Sequence, residues 1–361
     1  MTEPAAAPTA TLDKKKSIIL GVIGLAVIVL IFWKVIPQVG DYGAAFDAFK
    51  AMSPLAIALV GVSVLIYLAA YGFPFMAATP GLRYWRSQQV NQAAFAISNG
   101  VPAGGAFGLA VQFAMLTSYS VPGTVATSAI TAVGLWSMFV SLGLPILGVA
   151  ALNMTGGDTN YAWVAPLGLA ILVVGIGLFV LVMRSAPLAV KVGNLGNRML
   201  NPLRARISKI KDLDVLGPIT KFRADMYGLL KARWATITVA QLAVIMTQFL
   251  ILYVALRGVQ GWDKPGTSVL AAFGAFATSQ IMLMVPITPG GLGTVDALMI
   301  TLLQSVGVSA GDATAADLIW RMASYVPQIV VGIVALITWF KRAGQTFAAT
   351  KPAEDPTTKT A

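Results

Sequence analysis

The chain contains no histidine and no cysteine. Zinc, haem, iron–sulfur and copper sites thereby lose their usual ligands. Ser-His-Asp and Cys-His catalysis are excluded as well. No cofactor and no enzymatic activity are expected on this count. The redox compartment stays unread, since there are no cysteines to pair. Charge is also scarce: 11% of the residues are Asp, Glu, Lys or Arg, against about 25% in a soluble domain. Apolar residues fill the space, 57% of 361 positions, with a mean hydropathy of +0.79. These values point to an all-α polytopic membrane protein. The few charges are unbalanced, with 25 Lys and Arg against 14 Asp and Glu. In a membrane protein that excess reports topology and contact with anionic lipid, not nucleic-acid binding.

Taken in order, residues 1–16 are Ala/Pro/Thr-rich and end in Lys14-Lys15-Lys16. They read as a disordered cytoplasmic N-terminus. The apolar run from Ser17 to Ile36 is longer than a signal-peptide core and has no small-residue cleavage site, so it reads as a first crossing. Residues 17–183 form a first membrane half. It holds that crossing, a repeat unit over 54–152 and an extra crossing over 162–183. Residues 184–233 carry eleven Lys or Arg against three Asp, with apolar residues at helical spacing. They read as cytoplasmic amphipathic helices resting on an anionic leaflet, or simply as a solvated basic surface. A second membrane unit covers 234–340, and 341–361 reads as a disordered cytoplasmic tail. Twenty of the 25 Lys and Arg then fall on one side of the membrane: three before the first crossing, two after the second, eleven in the middle and four at the C-terminus. That bias predicts six full crossings of a cell (inner) membrane with both termini cytoplasmic.

Two apolar stretches cannot be continuous helices. Residues 281–299, I-M-L-M-V-P-I-T-P-G-G-L-G-T-V-D-A-L-M, carry two prolines and three glycines. Pro289 lacks an N–H, and the Gly290-Gly291 pair lowers helix propensity sharply. Residues 88–118 are interrupted by Asn99 and by Pro102-Ala103-Gly104-Gly105. Both read as broken, re-entrant hairpins. A shift of 187 positions pairs them without a gap. Pro102 falls on Pro289, Gly104 on Gly291, Leu116 on Leu303 and Ser118 on Ser305, with nine identities over the 28 positions from Pro102 to Ala129. Inverted repeats with discontinuous helices are a transporter signature. Chance likeness between two Gly/Pro-kinked regions is the competing explanation.

The run P-G-G-L-G-T-V-D-A at 289–297 and the later L-I-W-R-M-A-S-Y-V-P at 318–327 resemble the lysylphosphatidylglycerol synthase transmembrane-region family of flippase-like proteins. The segment N-G-V-P-A-G-G-A-F-G at 99–108 is similar to that family's first glycine motif. The likeness covers about residues 50–340. It implies a translocase for lipids or lipid-linked headgroups, with an anionic headgroup held at the glycine-rich tips. Asp296 stands where the family usually has Glu, and Gln112 stands about where it often has Arg. The aminoacyl-transferase domain of full synthases is not expected, because the chain ends soon after the last crossing.

The candidate substrate-binding residues are Asn99, Pro102, Gly104, Gly105, Gln112, Pro289, Gly290, Gly291, Gly293, Asp296, Arg321 and Tyr325. A charge at membrane depth costs roughly 2.5–3.5 kcal/mol on insertion scales. Asp296 and Arg321 therefore call for each other, either as a structural ion pair or as a headgroup site in which Arg321 and the half-helix N-terminus take a phosphate. Asp317 is a secondary acid. The glycines permit close backbone approach, or only tight helix packing. Asn99, Gln112, Gln280 and Thr288 read as interhelical hydrogen bonders or ligand contacts, and Tyr325 and Gln328 share the Arg321 face. The expected partners are membrane lipids, with a homodimer also compatible. An ion-coupled small-solute transporter and a non-transporting accessory factor of envelope lipid synthesis remain the alternatives.

Overall fold

The computed structural model describes residues 42–100, 104–155, 184–204, 216–284 and 289–349, with parts of 170–181. The crossing expected at 17–36, most of the one at 162–183 and both termini lie outside the described residues. The described part contains helices and no strands, in the order α1 (Tyr42–Lys50), α2 (Pro54–Ala70), α3 (Phe73–Ala78), α4 (Tyr84–Gly100), α5 (Gly104–Ser118), α6 (Gly123–Met154), α7 (Ala186–Arg204), α8 (Leu216–Gln260), α9 (Val269–Ser279), α10 (Thr294–Ser305) and α11 (Ala310–Ala349). Two short 3₁₀ turns, Gln280–Met284 and Pro289–Gly291, link α9 to α10.

Four stretches are long and apolar enough to cross a membrane: Pro54–Ala78, Gly123–Met154, Lys231–Gln260 and Ala310–Lys341. Each exceeds the roughly 20 residues needed to span the hydrocarbon core. They carry large apolar side chains outward, among them Leu65, Val239 and Ile337, as expected for helices solvated by lipid. α8 does not begin at the expected boundary between 233 and 234. Residues 216–233 continue the crossing helix, because no proline or glycine after Gly228 interrupts the backbone ladder.

The first of these stretches is broken at Tyr71-Gly72, where Pro74 supplies no N–H to continue the ladder. In hydrocarbon the freed carbonyls need partners, and α4 provides them. Tyr84 donates to the Ala69 carbonyl at 2.7 Å, Ser87 to Gly72 at 2.5 Å, Gln88 to Leu68 at 2.6 Å and Asn91 to Tyr71 at 2.6 Å. Four polar side chains of α4 are therefore spent on satisfying backbone within the fold.

The repeat at a shift of 187 is visible in the backbone. α5 ends at Ser118 and α10 at Ser305; α6 starts at Gly123 and α11 at Ala310. Between them, Ser120 and Gly307 hold the equivalent left-handed conformation, with φ of 66° and 91°. The two helix ends close with the same bonds. Val121 N–H donates to the Leu116 carbonyl at 3.2 Å and Val308 N–H to Leu303 at 3.1 Å; Ser120 donates to Thr117 and Gly307 to Gln304. This is the Schellman pattern, made twice. The packing is reciprocal too. α6 lies along α9, the first arm of the other unit's hairpin, and α11 lies along α4 in the same way, while α2 and α8 pack on each other. Gly148 of α6 sits against the Thr278 backbone, and Gly332 of α11 against the Gln92 carbonyl. Each hairpin has its own core, one around Phe276, Trp320, Leu252 and Met299, the other around Phe75, Val90, Met115 and Leu116.

Ser120 takes a conformation that its equivalent assigns to glycine, at a strain of roughly 1–2 kcal/mol for a residue with a Cβ. Ser120→Gly is expected to raise stability by up to about 1 kcal/mol, since the gain is partly offset by greater freedom in the unfolded chain. Thermal unfolding in detergent measures it; a lowered midpoint would contradict the shared cap.

Candidate functional site

The second hairpin breaks because three of four consecutive residues are glycines in left-handed backbone. Gly290, Gly291 and Gly293 have φ of 61°, 65° and 82°. A Cβ at Gly290 would overlap the Tyr325 hydroxyl and come within 2.9 Å of the Asn99 side-chain oxygen. The break thus lets two other elements press onto the tip. Asn99 comes from the end of α4, in the first hairpin, so the two broken tips meet. Tyr325 comes from α11 and donates its hydroxyl hydrogen to the Gly290 carbonyl at 2.7 Å.

Downstream of the break, Asp296 occupies the first turn of α10 and is fully buried. One carboxylate oxygen accepts the Gly293 N–H, which caps the exposed start of the helix. The other accepts Arg321 Nε at 2.6 Å. Arg321 also reaches the Gly290 carbonyl through Nη1, at 3.4 Å. Its guanidinium stacks near the rings of Trp320 and Tyr325, at 4.6 and 5.0 Å from their centroids. Its Nη2 is buried and has no protein acceptor. The pair that the sequence joined is therefore formed, and it spans the break in the hairpin. One donor of the cation is left for something else.

That cation borders a cavity of about 360 Å³, within the size range of small-ligand sites. Tyr67, Tyr71, Phe95, Leu109, Gln112, Gln280, Gly290, Trp320, Arg321 and Tyr325 are among its walls. Aromatic edges connect them, from Tyr67 to Tyr71, Tyr71 to Phe95 and Phe95 to Tyr325, with centroids 5.4–5.9 Å apart. A mostly apolar wall with a few convergent polar groups is the usual make-up of a ligand site.

The sequence candidates divide accordingly. Asn99, Gly290, Asp296, Arg321 and Tyr325 converge at the tip, and Gln112 lines the same cavity. Gly291 packs on Val295 and Leu283, and Gly293 supplies the capped N–H. Gly104 presses against the Ile97 carbonyl where α4 and α5 cross, while a Cβ at Gly105 would meet nothing. Neither borders the cavity. Pro289 starts the 3₁₀ turn; Pro102 and Thr288 lie outside the described residues. Tyr67 and Tyr71 of α2 escaped the sequence reading, because nothing in an apolar helix marks which tyrosine faces inward. Thr314 and Ser324 were also left out, although their spacing was legible beside Asp317, Arg321 and Gln328. Thr314, Asp317, Arg321, Ser324 and Gln328 are all buried and recur at alternating steps of three and four. They form a polar stripe down one face of α11, and Gln328 accepts the Tyr67 hydroxyl hydrogen at 3.1 Å.

Among the described residues no cluster of three or more His, Cys, Asp or Glu side chains is placed to hold a metal. A family model described as the lysylphosphatidylglycerol synthase TM region matches residues 21–332. No curated protein matches the chain.

Proposed function

The chain belongs to the lysylphosphatidylglycerol synthase TM region family, and from that premise we propose that it translocates a lipid or lipid-linked headgroup across the cell membrane. The observation that carries the proposal is the cavity between the two broken tips, where buried Arg321 keeps an unpartnered N–H beside the open backbone of Gly290. A buried guanidinium N–H is suited to a phosphate oxygen. In this reading Arg321 takes the phosphate through Nη2. Tyr67, Tyr71, Tyr325, Asn99 and Gln112 surround the rest of the headgroup, and Asp296 positions Arg321. The acyl or prenyl chains stay in the apolar phase. A second crevice of about 820 Å³ fits that role, with Trp136, Phe139, Leu147 and Phe179 on its walls and Arg184 and Lys231 among its lining. The two cations would meet anionic headgroups of the leaflet, as proposed for the whole 184–233 segment.

Proteoliposomes carrying headgroup-labelled phosphatidylglycerol, phosphatidylethanolamine or a polyprenyl phosphate test this. Protein-dependent exposure of the label on the opposite leaflet is expected for at least one of them, and its loss in Arg321→Ala. If none moves, the translocase reading fails. Uptake of a free phosphate ester without any lipid movement would instead favour a small-solute transporter.

A further inference from the structure

Asp317 has no role in the site as described. It lies one turn before Arg321 on α11 and is 0% exposed, and neither carboxyl oxygen has a hydrogen-bond partner. An ionised carboxylate left so inside a membrane would be very costly. Arg321 does not resolve this: among the described residues its ion pair is with Asp296, and none is formed with Asp317. Asp317 and Asp296 approach the same guanidinium from α11 and α10, and their charges act on each other. Two buried carboxylates beside one guanidinium leave a negative charge unbalanced unless one of them carries a proton. The charged groups acting on Asp317 are Asp296 of α10 and Arg321 of its own helix. Tyr325 and Tyr67 stand next around the guanidinium, and α9 brings no ionisable residue.

We propose that Asp317 holds one exchangeable proton beside the Asp296–Arg321 pair, and that taking it up prepares Arg321 to bind an anion. With both acids ionised, two negative charges face one positive charge and the cluster is net −1, which opposes a phosphate. One proton from water, taken up by the Asp317 carboxylate, brings the cluster to zero. The free Nη2 of Arg321 then meets an incoming anion without a surplus carboxylate beside it. Proton and anion favour each other's binding, as reciprocal linkage requires. The stripe of Thr314, Ser324 and Gln328 on the same helix face sets further polar groups along this line. The anion-binding half of the inference rests on the headgroup reading; the proton site does not.

The experiments separate the two. Infrared titration of the purified protein in nanodiscs reads protonated carboxyls directly. We expect one deuterium-sensitive carboxyl band at neutral pH that disappears on alkalinisation. It should be absent from Asp317→Asn and unchanged in Asp263→Asn, whose side chain is exposed. No such band in the wild type, or its survival in Asp317→Asn, would overturn the proton site. So would its loss when sodium replaces potassium at fixed pH, which would mean a metal cation occupies the pair. Binding of short-chain phosphatidylglycerol across pH reads the second half. Affinity should rise by up to about tenfold per pH unit on acidification in the wild type and stay flat in Asp317→Asn. Equal pH dependence in both proteins would refute the linkage while leaving the translocase reading intact. A titrating band in a protein that moves no lipid would uphold the proton site and count against that reading.

Discussion

Arg321→Ala is expected to abolish headgroup translocation and to cost about 3–5 kcal/mol of stability, the usual penalty for removing one partner of a buried ion pair. The substitution removes the only cation facing two buried acids and the bond from Nη1 to the Gly290 carbonyl. The deficit should shrink as pH falls, because the orphaned carboxylates can take up protons. Arg321→Lys keeps the charge but loses the planar fork that spans Asp296 and Gly290, so it should recover stability more than activity. Asp296→Ala should be milder than Arg321→Ala, since Asp317 stands ready as a substitute counter-ion. Removing both acids leaves a guanidinium that cannot give up its proton. The double substitution Asp296→Asn with Asp317→Asn should therefore cost more than the sum of the singles. Chemical and thermal unfolding in detergent measure all of these; Arg321→Ala unfolding at the wild-type midpoint would sink the argument.

Gly290→Ala is the second substitution with a large expected effect, a loss of roughly 1–3 kcal/mol from backbone strain together with most of the activity. The left-handed φ opposes any Cβ, and the Cβ would also collide with the Tyr325 hydroxyl. These two causes are separable. Tyr325→Phe alone removes the bond to the Gly290 carbonyl and should cost about 1 kcal/mol. In that background the alanine loses its nearest steric opponent, while the ring carbon and the Asn99 oxygen stay at 2.9 Å, so the pair should be less than additive, with the φ strain remaining. Gly105→Ala is the control. Its Cβ would meet open space, so translocation and unfolding midpoint should stay close to wild type. If Gly105→Ala and Gly290→Ala behave alike, the tip is not held as described.

The reading of 281–299 as a broken hairpin came from residue chemistry that acts locally. Proline withholds an N–H, and glycine permits positive φ, wherever they fall. The repeat was legible for the same reason: the shift of 187 that aligned Pro102 with Pro289 also aligns two Schellman ends. The apolar span of α8 starts at Lys231, close to the expected 233/234; what was not legible is that the charged and apolar parts share one unbroken helix, since charge alone does not end a helix. Of the polar residues of α4 only Asn99 stood out in the sequence; Tyr84, Ser87, Gln88 and Asn91, which serve the broken backbone of α2, carried no mark of that role. Their role depends on a helix about 20 residues away in sequence.

By itself, the order of residues determined that this is a helical membrane protein with two interrupted stretches and one buried acid–base pair. Those conclusions follow from composition, backbone chemistry and the cost of charge in hydrocarbon, none of which needs a fold. Tertiary structure alone decided that the two tips touch through Asn99 and Gly290, that Tyr67 and Tyr71 join them, and that Asp317 faces Asp296 without a partner of its own. Each of these depends on how one helix rolls against another. In a membrane that roll is set by small-residue contacts such as Gly148 on Thr278 and Gly332 on Gln92, which hydropathy does not record.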